Sequence, residues 1–274
     1  MIAIELRKLF RRPRTWLTIA LLDLLPTVVA ILIAVTHVGP RPGQGPAFLS
    51  AVLSNGSLFA VAALAIVLPL FLPVAVAVIA GDSVAGEAQS GMLRYLLIRP
   101  VGRTRLLAAK LVATFVFVAV AVVIVAATGY LVGRIFLGHG SQASLSAAVT
   151  SVSGSSLTPG QIVWRTIITI GYVAFSMLGV AAMALFLSTL TDSPLSASIG
   201  ALAFLIGSSL LLTLDAARAI LPYLPTRYWL SFIDLFRDPI LWRNVERGVA
   251  LQAVYVVVLL GAAWANFATK DIKS

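Results

Sequence analysis

The stretch Leu106–Phe136, LLAAKLVATFVFVAVAVVIVAATGYLVGRIF, decides the class of the fold. It is almost entirely apolar, and a helix needs only about 20 such residues to cross the hydrocarbon core of a bilayer. Because the stretch is longer than one crossing requires, we expect it to tilt in the membrane or to project from it. It predicts a membrane-spanning helix.

The rest of the chain is also strongly apolar. Of its 274 residues, 60% are hydrophobic and only 11% are charged, and the mean hydropathy is +1.02. Soluble domains are about 45–50% apolar and about 25% charged. This chain has too much apolar surface to hide from water by folding on itself, so we expect an all-α integral membrane protein. Its net charge of +10 comes largely from bases that flank apolar segments, which is not typical of a nucleic-acid-binding protein.

Six segments are long and apolar enough to span a bilayer, and none alternates as the strands of a barrel do. We predict spans at Trp16–Val38, Ser57–Ala80, Leu106–Phe136, Thr166–Leu190, Leu195–Leu214 and Val249–Ala268. Five bases precede the first span, whereas only Arg41 closely follows it. The positive-inside rule therefore predicts that both termini lie in the cytoplasm. We treat residues 1–274 as one transmembrane domain.

Two segments outside the spans have amphipathic patterns. Residues 1–15 predict a helix on the membrane surface, with Glu5, Lys8, Arg11 and Arg12 on its polar side; plain topogenic charge is the alternative. Residues 215–247 form a longer external, re-entrant segment. In it Trp229, Phe232, Ile233 and Phe236 share one helical face, which predicts a short helix dipping into the outer leaflet; a loop packed over the span ends is the alternative.

Unusual residues inside the spans are candidates for a substrate path. Asp23 is a carboxylate within the first span, where it is costly unless it serves transport or pairs with a neighbouring helix. Pro69 and Pro73 should kink the second span and free backbone carbonyls. Gly129 and Gly133 permit close approach of another helix.

The polar segment of residues 81–105, GDSVAGEAQSGMLRYLLIRPVGRTR, is a cytoplasmic loop in this topology. Asp82 and Ser83 are suited to cap a helix, Arg94 suits its negative end, and Pro100 would stop it. The pattern predicts a helix over Val84–Leu97. An ordinary basic loop between spans is the alternative.

The sequence lacks the residues that several kinds of chemistry require. The sequence contains no phosphate-binding loop of the Gly-x-x-x-x-Gly-Lys-Ser/Thr type, no nucleophile elbow and no cysteine. His37 and His139 have no carboxylates clustered near them, so we expect no metal site. We therefore expect no catalytic residues and no cofactor in this chain.

Three motifs resemble those of type-2 ABC transporter permeases (the ABC-2 family), the membrane subunits of bacterial ABC exporters. The cytoplasmic loop of that family shows an acid, a glutamate, a small residue, leucines, Pro-Val, a base and a lysine. The matching residues here are Asp82, Glu87, Gly91, Leu93, Leu96, Leu97, Pro100, Val101, Arg103 and Lys110, with Met92 in place of the usual threonine. ELRKLFRR at Glu5–Arg12 resembles the family's interface helix. FATKDI at Phe267–Ile272 resembles its closing pattern, with Thr269 in place of one base.

The resemblance implies that segment 81–105 holds a coupling helix that docks in a groove of a separate ATPase subunit. The residues it assigns to that contact are Asp82, Glu87, Met92, Leu93, Arg94, Leu96 and Arg99. It also implies a second permease subunit, identical or related, and ATP and Mg²⁺ bound by the ATPase rather than by this chain. Membrane lipid is the remaining partner.

Two other functions remain open on the sequence. An ion-coupled secondary transporter would be expected to carry several ionisable groups at mid-membrane, where this chain has only Asp23 deep in a span. A membrane scaffold without transport is the second alternative. The residues do not name a cargo, although apolar, kinked spans suit a hydrophobic drug, peptide or lipid.

Overall fold

The structure is a computed structural model that describes residues 1–36, 56–91, 103–137, 149–150 and 156–269. Its α-helices are α1 Ile2–Arg11, α2 Pro13–Thr36, α3 Phe59–Val67, α4 Phe71–Gln89, α5 Arg103–Val132, α6 Pro159–Leu190, α7 Pro194–Leu211 and α8 Trp242–Thr269. Within the described ranges six of them, α2 and α4 to α8, are long and apolar enough to cross a membrane. The prediction of a helical protein with six apolar spans is confirmed at this level.

Shorter elements join these helices. Four 3₁₀ segments lie at Gly56–Leu58, Asp215–Ala217, Leu221–Tyr223 and Trp229–Phe236, and α5 ends in a π-helical turn, Gly133–Leu137. A minimal antiparallel ladder pairs β1, Val149–Thr150, with β2, Ser156–Leu157. In the register of this ladder Val149 is opposite Leu157, directly before the start of α6.

The predicted second span is not one helix. It is divided into α3 and α4 by a turn at Leu68, Pro69 and Leu70. Pro69 lacks the N–H that would continue the helix, so the break falls where the sequence predicted a kink. Pro73 lies in the first turn of α4, a position that tolerates proline. Only the break at Pro69 is thus a distortion.

Helix α6 is the centre of the bundle, because it packs against α4, α5, α7 and α8. Helix α2 lies at one edge, against α3 and α5. The main apolar core lies between these helices and contains Phe59, Leu64, Phe117 and Met177, all fully buried. This arrangement places the C-terminal end of α4 next to the N-terminal end of α5 on one side of the bundle.

The ends of α6 follow from local sequence chemistry. The Thr158 hydroxyl accepts a hydrogen bond from the Gln161 backbone N–H, and the Gln161 side chain accepts one from the Thr158 N–H, with Pro159 at the first helical position. This capping box satisfies two N–H groups that the first turn would leave unpaired. At the other end a tight turn leads into α7, where Ser193 caps the new helix by accepting from the Ser196 N–H. Helix α6 therefore begins earlier than the predicted span at Thr166.

The glycine pair of α5 is a point of close helix contact, as predicted. A Cβ added to Gly129 would stand 2.8 Å from the Ala63 Cβ, and one added to Gly133 would stand 2.2 Å from the Gly56 carbonyl oxygen. Contacts this short leave no room for a side chain. The two glycines therefore let α5 lie directly against α3 and the turn that precedes it.

The segment that follows α7 differs from the prediction. Trp229–Phe236 is a 3₁₀ helix with three residues per turn, so its buried positions are Trp229, Phe232 and Leu235, with Phe236 beside them. The predicted Ile233 is only half-buried. These side chains pack on α6 and α8, as the alternative of a segment packed over the span ends expects, and insertion into the outer leaflet stays a prediction.

Buried polar contacts hold this segment in place. The Tyr172 hydroxyl of α6 donates to the Tyr228 carbonyl oxygen at 2.5 Å. The Gln252 amide of α8 donates to the Pro225 carbonyl oxygen at 2.7 Å. Because the contacts join residues distant in sequence, no local pattern could have predicted them.

Candidate functional site

Helix α1 packs against the start of α5 and against α2. Its polar side faces the last turns of α4 rather than solvent alone, as its ion pairs show. We call the resulting group of charges, Glu5, Lys8, Arg12, Arg14, Asp82, Glu87 and Lys110, the ion-pair cluster. The end of the bundle that carries it is called the charged end.

Glu87 is the centre of the cluster. Its side chain is nearly fully buried, and one carboxylate oxygen is bound by the Lys8 ammonium of α1. The other carboxylate oxygen lies 2.6 Å from Lys110 Nζ of α5. One acid therefore joins the consecutive helices α4 and α5 to α1 at the start of the chain.

Lys110 is the most deeply buried charge of the ion-pair cluster, with only 2% of its surface exposed. Besides Glu87, its ammonium donates to the Ser83 carbonyl oxygen at 2.6 Å and lies 3.8 Å from a carboxylate oxygen of Glu5. An ammonium at such depth is stable only when it is paired and hydrogen-bonded. Two acids and a backbone carbonyl supply those contacts here.

The rim of the cluster is more exposed. Arg12 donates to the Asp82 carboxylate at 2.7 Å, and Arg14 lies 3.9 Å from the same oxygen. A Cβ on Gly86 would stand 2.4 Å from the other Asp82 oxygen, so the glycine makes room for this carboxylate. Arg11 is exposed and takes part in none of the ion pairs found among the described residues.

The predicted helix start at Asp82 is wrong. Asp82 and Ser83 lie inside α4, which runs to Gln89. An acid after an apolar run has the pattern of a cap, but its carboxylate is held by Arg12, a partner that the local sequence does not reveal. The helix ends where Gly91 adopts a φ of +69°, the left-handed conformation that glycine tolerates best. A continuous helix over Val84–Leu97 is therefore excluded.

The other residues assigned to the ATPase contact are Met92, Leu93, Arg94, Leu96 and Arg99, and they lie outside the described residues. The described parts of segment 81–105 lead into them from both sides. Helix α4 ends at Gln89 and α5 begins at Arg103. The ion-pair cluster therefore lies at the base of the predicted coupling loop.

A small apolar cluster supports this base. Val84 is buried there with Leu106, Leu185 and Phe267. Phe267 belongs to the closing motif at the end of the sequence, so this motif also reaches the charged end. Val84, a residue of the predicted coupling helix, contacts the protein's own helices.

Ser188 of α6 makes an unusual contact with the backbone of α4. Its fully buried hydroxyl donates to the Gly81 carbonyl oxygen at 2.7 Å and accepts from the Ala85 N–H at 2.8 Å. These two backbone groups belong to one turn of α4. The hydroxyl therefore ties α4 to α6 just before α4 reaches Glu87.

The space inside the ion-pair cluster is small. The cavity that its charges line has a volume of about 50 Å³, enough for a few water molecules and too small for a nucleotide or a drug. No group of three or more potential metal ligands occurs among the residues that the structure describes. The arrangement suits mechanical connection of helices rather than ligand binding.

The candidates for a substrate path lie elsewhere. Asp23 of α2 accepts a hydrogen bond at 2.6 Å from the Thr128 hydroxyl of α5. This contact between neighbouring helices matches the structural alternative for Asp23. Pro69 and Pro73 line a separate cavity at the end of the bundle opposite the charged end.

The family profile of a protein of unknown function (DUF2705) matches residues 27–273, nearly the whole chain. The chain belongs to the DUF2705 family. Of the cluster, the match includes Asp82, Glu87 and Lys110, whereas Glu5 and Lys8 precede it. No curated protein matches the sequence.

The contact of Lys110 was missed in the prediction from the sequence. Lys110 matched the permease pattern but was not assigned a contact. A single lysine near the start of a long apolar helix is costly without a partner, and this signal could have indicated a buried acid. Its identity as Glu87 required the packing of α4 against α5.

Proposed function

We propose that this DUF2705 protein is the membrane-spanning subunit of an ATP-driven exporter, similar to type-2 ABC transporter permeases. It would form the substrate path and bind a separate ATPase subunit through residues 81–105. The observation that carries the proposal is the junction of Lys8, Glu87 and Lys110. Residues from two motifs of the resemblance meet in one buried contact, directly beside the predicted ATPase-binding loop.

The geometry supports a role in transmitting force. Movement of the loop between α4 and α5 acts on the ends of both helices. A buried ion pair is costly to break, at about 3–5 kcal/mol when one partner is removed. The loop, α1 and the two helix ends would therefore move together, and α4 would carry the movement toward its break at Pro69.

In this proposal the ATPase subunit binds ATP and Mg²⁺, and this chain contributes no hydrolytic residues. Two permease subunits, identical or related, pair with two ATPase subunits in the bacterial plasma membrane. The charged end faces the cytoplasm, in agreement with the bases that precede α2. Helix α1 then lies at the inner membrane surface.

The decisive experiment is co-expression with any phosphate-loop ATPase encoded beside this protein. We expect the ATPase to co-purify with the tagged permease and to hydrolyse ATP in nanodiscs. Leu93→Asp should abolish co-purification, because it places an unpaired charge in the contact. The matched control is Leu214→Asp, an exposed leucine at the opposite end of the bundle, which should leave co-purification unchanged.

Two results would contradict the proposal. Full retention of the ATPase by Leu93→Asp would show that the loop is not the contact. Transport that runs on an ion gradient, without nucleotide, would instead support a secondary transporter.

A further inference from the structure

Helix α1 is held against the bundle by the face that carries Lys8 and Leu9, yet no residue of α1 is fully buried. A second face is apolar and consists of Ile2, Leu6 and Phe10, which follow one another at intervals of four residues. Ile2 is 46% exposed, and Leu6 and Phe10 are half-buried. Helix α1 therefore has an apolar face that the described part of the chain leaves largely uncovered.

Arg7 and Arg11 form a third face of α1, beside the apolar one. They are four residues apart and so are neighbours on the helix surface, and Arg7 is also three residues from Phe10. Both arginines are exposed, and neither takes part in an ion pair or a side-chain hydrogen bond among the described residues. Two like charges at this spacing destabilise a helix. An anion bound between them would remove that repulsion.

The connection to α2 holds α1 at the border of the membrane. Helix α1 ends at Arg11, Arg12 is extended with φ of −78° and ψ of 125°, and Pro13 begins the first candidate span. Helix α1 also packs against α5, another candidate span. Because it is joined to one span and packed on a second, α1 cannot lie far from the lipid headgroups.

Trp16 marks the headgroup level at the end of α1. It is 50% exposed, and its indole N–H donates to the Phe10 carbonyl oxygen at 2.9 Å. This carbonyl belongs to the last turn, where a helix leaves such groups unpaired. Tryptophan is enriched at the membrane interface because its ring is apolar and its N–H is polar. With Trp16 and the apolar face of α1 at this border, Arg7 and Arg11 come level with the lipid phosphates.

The chemistry of the two arginines favours a phosphate as the anion. A guanidinium binds phosphate through two parallel hydrogen bonds, and bases beside a membrane span attract lipids of net negative charge. An acidic surface of another protein is the rival occupant. It would have to reach Arg7 and Arg11 at the edge of an apolar face that the lipid already covers.

We propose that Arg7 and Arg11 bind the phosphate of an anionic lipid, and that this lipid holds α1 in place so that Lys8 stays on Glu87. The two arginines and Lys8 belong to the same ten-residue helix, so a lipid that fixes one face also positions the other. Because α1 buries no residue completely, such support from outside the chain bears directly on the ion-pair cluster. This role needs α2 and α5 to span the membrane and does not depend on an ATPase.

The test compares nanodiscs of phosphatidylcholine with nanodiscs in which phosphatidylglycerol of the same acyl chains replaces part of that lipid. Hydrogen exchange followed by mass spectrometry reports how often the backbone of α1 opens in the full-length protein. We expect phosphatidylglycerol to slow exchange in peptides from residues 2–11 by up to about 30-fold, because each base near an anionic surface contributes a factor of about five. Peptides from the end of α4, which carry Glu87, should slow in the same direction.

Two double variants of equal charge keep the test specific. Arg7→Gln with Arg11→Gln breaks no ion pair within the described part of the chain, so this protein should fold and should exchange equally in the two lipids. The matched control is Arg243→Gln with Arg247→Gln, two exposed arginines four residues apart at the start of α8. It should keep the slowing at α1. Equal loss of the slowing in both double variants would indicate general attraction between a basic protein and the lipid, and would overturn the proposal.

The source of the anion is distinguished by further samples. Glycerol phosphate added to phosphatidylcholine nanodiscs supplies the phosphate without the membrane, and we expect no slowing with it. Slowing equal to that of the lipid would replace the lipid site with a site for a soluble anion. Slowing that appears only with a bound ATPase would assign Arg7 and Arg11 to a protein contact. Slowing at α1 without any change at the end of α4 would overturn the link to Glu87, and ATPase co-purification tests the transport role separately.

Discussion

Lys110 and Glu87 form a buried ion pair, with Nζ 2.6 Å from a carboxylate oxygen, between the start of α5 and the last turns of α4. Lys8 from α1 binds the other oxygen of the same carboxylate. The pair connects the two helices on either side of the loop that we propose as the ATPase contact. Its stability therefore bears on the fold and on the proposed coupling together.

Removing the Glu87 carboxylate should strongly destabilise the protein. Glu87→Ala leaves the Lys110 ammonium buried without its closest partner, which costs about 3–5 kcal/mol. We expect a large drop in the thermal unfolding temperature of the purified protein and in its accumulation in membranes. The control is Asp215→Ala, which breaks a largely exposed pair with Arg218 and should have no measurable effect. A Glu87→Ala protein as stable as wild type would show that the pair is not closed in the membrane.

Some components of this site were predicted from the sequence. An amphipathic helix over residues 1–15 follows from a local pattern, whereas Asp82, Glu87 and Lys110 were matched through the resemblance to ABC-2 permeases. Their contact was not recognised, since it depends on how α1, α4 and α5 pack. The helix start predicted at Asp82 failed for the same reason: Arg12, and not the helix N-terminus, binds that carboxylate.

The distortion of the second span was predicted more completely. Pro69 breaks this span as expected, because a proline acts on the backbone within a few residues. The buried face around Trp229 was only partly predicted, because the choice between helical periods of 3.6 and 3.0 is made by packing against α6 and α8.

Thr128 and Asp23 should contribute to stability together, through the hydrogen bond that joins them. Thr128→Val and Asp23→Ala each remove the contact, so the double variant should lose less than the sum of the two single losses. Hydrogen bonds between membrane helices couple by about 0.6 kcal/mol on average, with a maximum of about 1.7 kcal/mol. Unfolding in mixed micelles would measure this coupling. Strict additivity would contradict the contact and return Asp23 to the list of substrate-path candidates.

The two glycines of α5 should tolerate no side chain. In Gly133→Ala the new Cβ would meet the Gly56 carbonyl oxygen at 2.2 Å, so the helices must separate, at a cost of about 1–3 kcal/mol. The matched control is Gly171→Ala in α6, where nothing lies within 4 Å of the added atom. That variant should be equally or more stable, because alanine favours helix over glycine by about 1 kcal/mol. Equal thermal unfolding temperatures for the two variants would exclude the close contact of α5 with α3.

Ser188 and Ser176 offer a matched comparison on one helix. Both are buried in α6, but Ser188 bonds to the Gly81 carbonyl and the Ala85 N–H of α4. The Ser176 hydroxyl meets no hydrogen-bond partner among the described residues. Ser188→Ala should therefore lower the free energy of unfolding by about 1–3 kcal/mol, since it removes the partner of two buried backbone groups.

Ser176→Ala removes a hydroxyl that has no partner, so the variant should be as stable as wild type or more stable. Both free energies can be measured by unfolding in mixed micelles, with helical circular dichroism as the signal. The comparison also bears on the path of α4. If Ser188→Ala is as stable as wild type, the Gly81 carbonyl and the Ala85 N–H do not depend on this hydroxyl as a partner. Ser188 would then not hold α4 against α6, and the position of Glu87 against Lys110 would not depend on it.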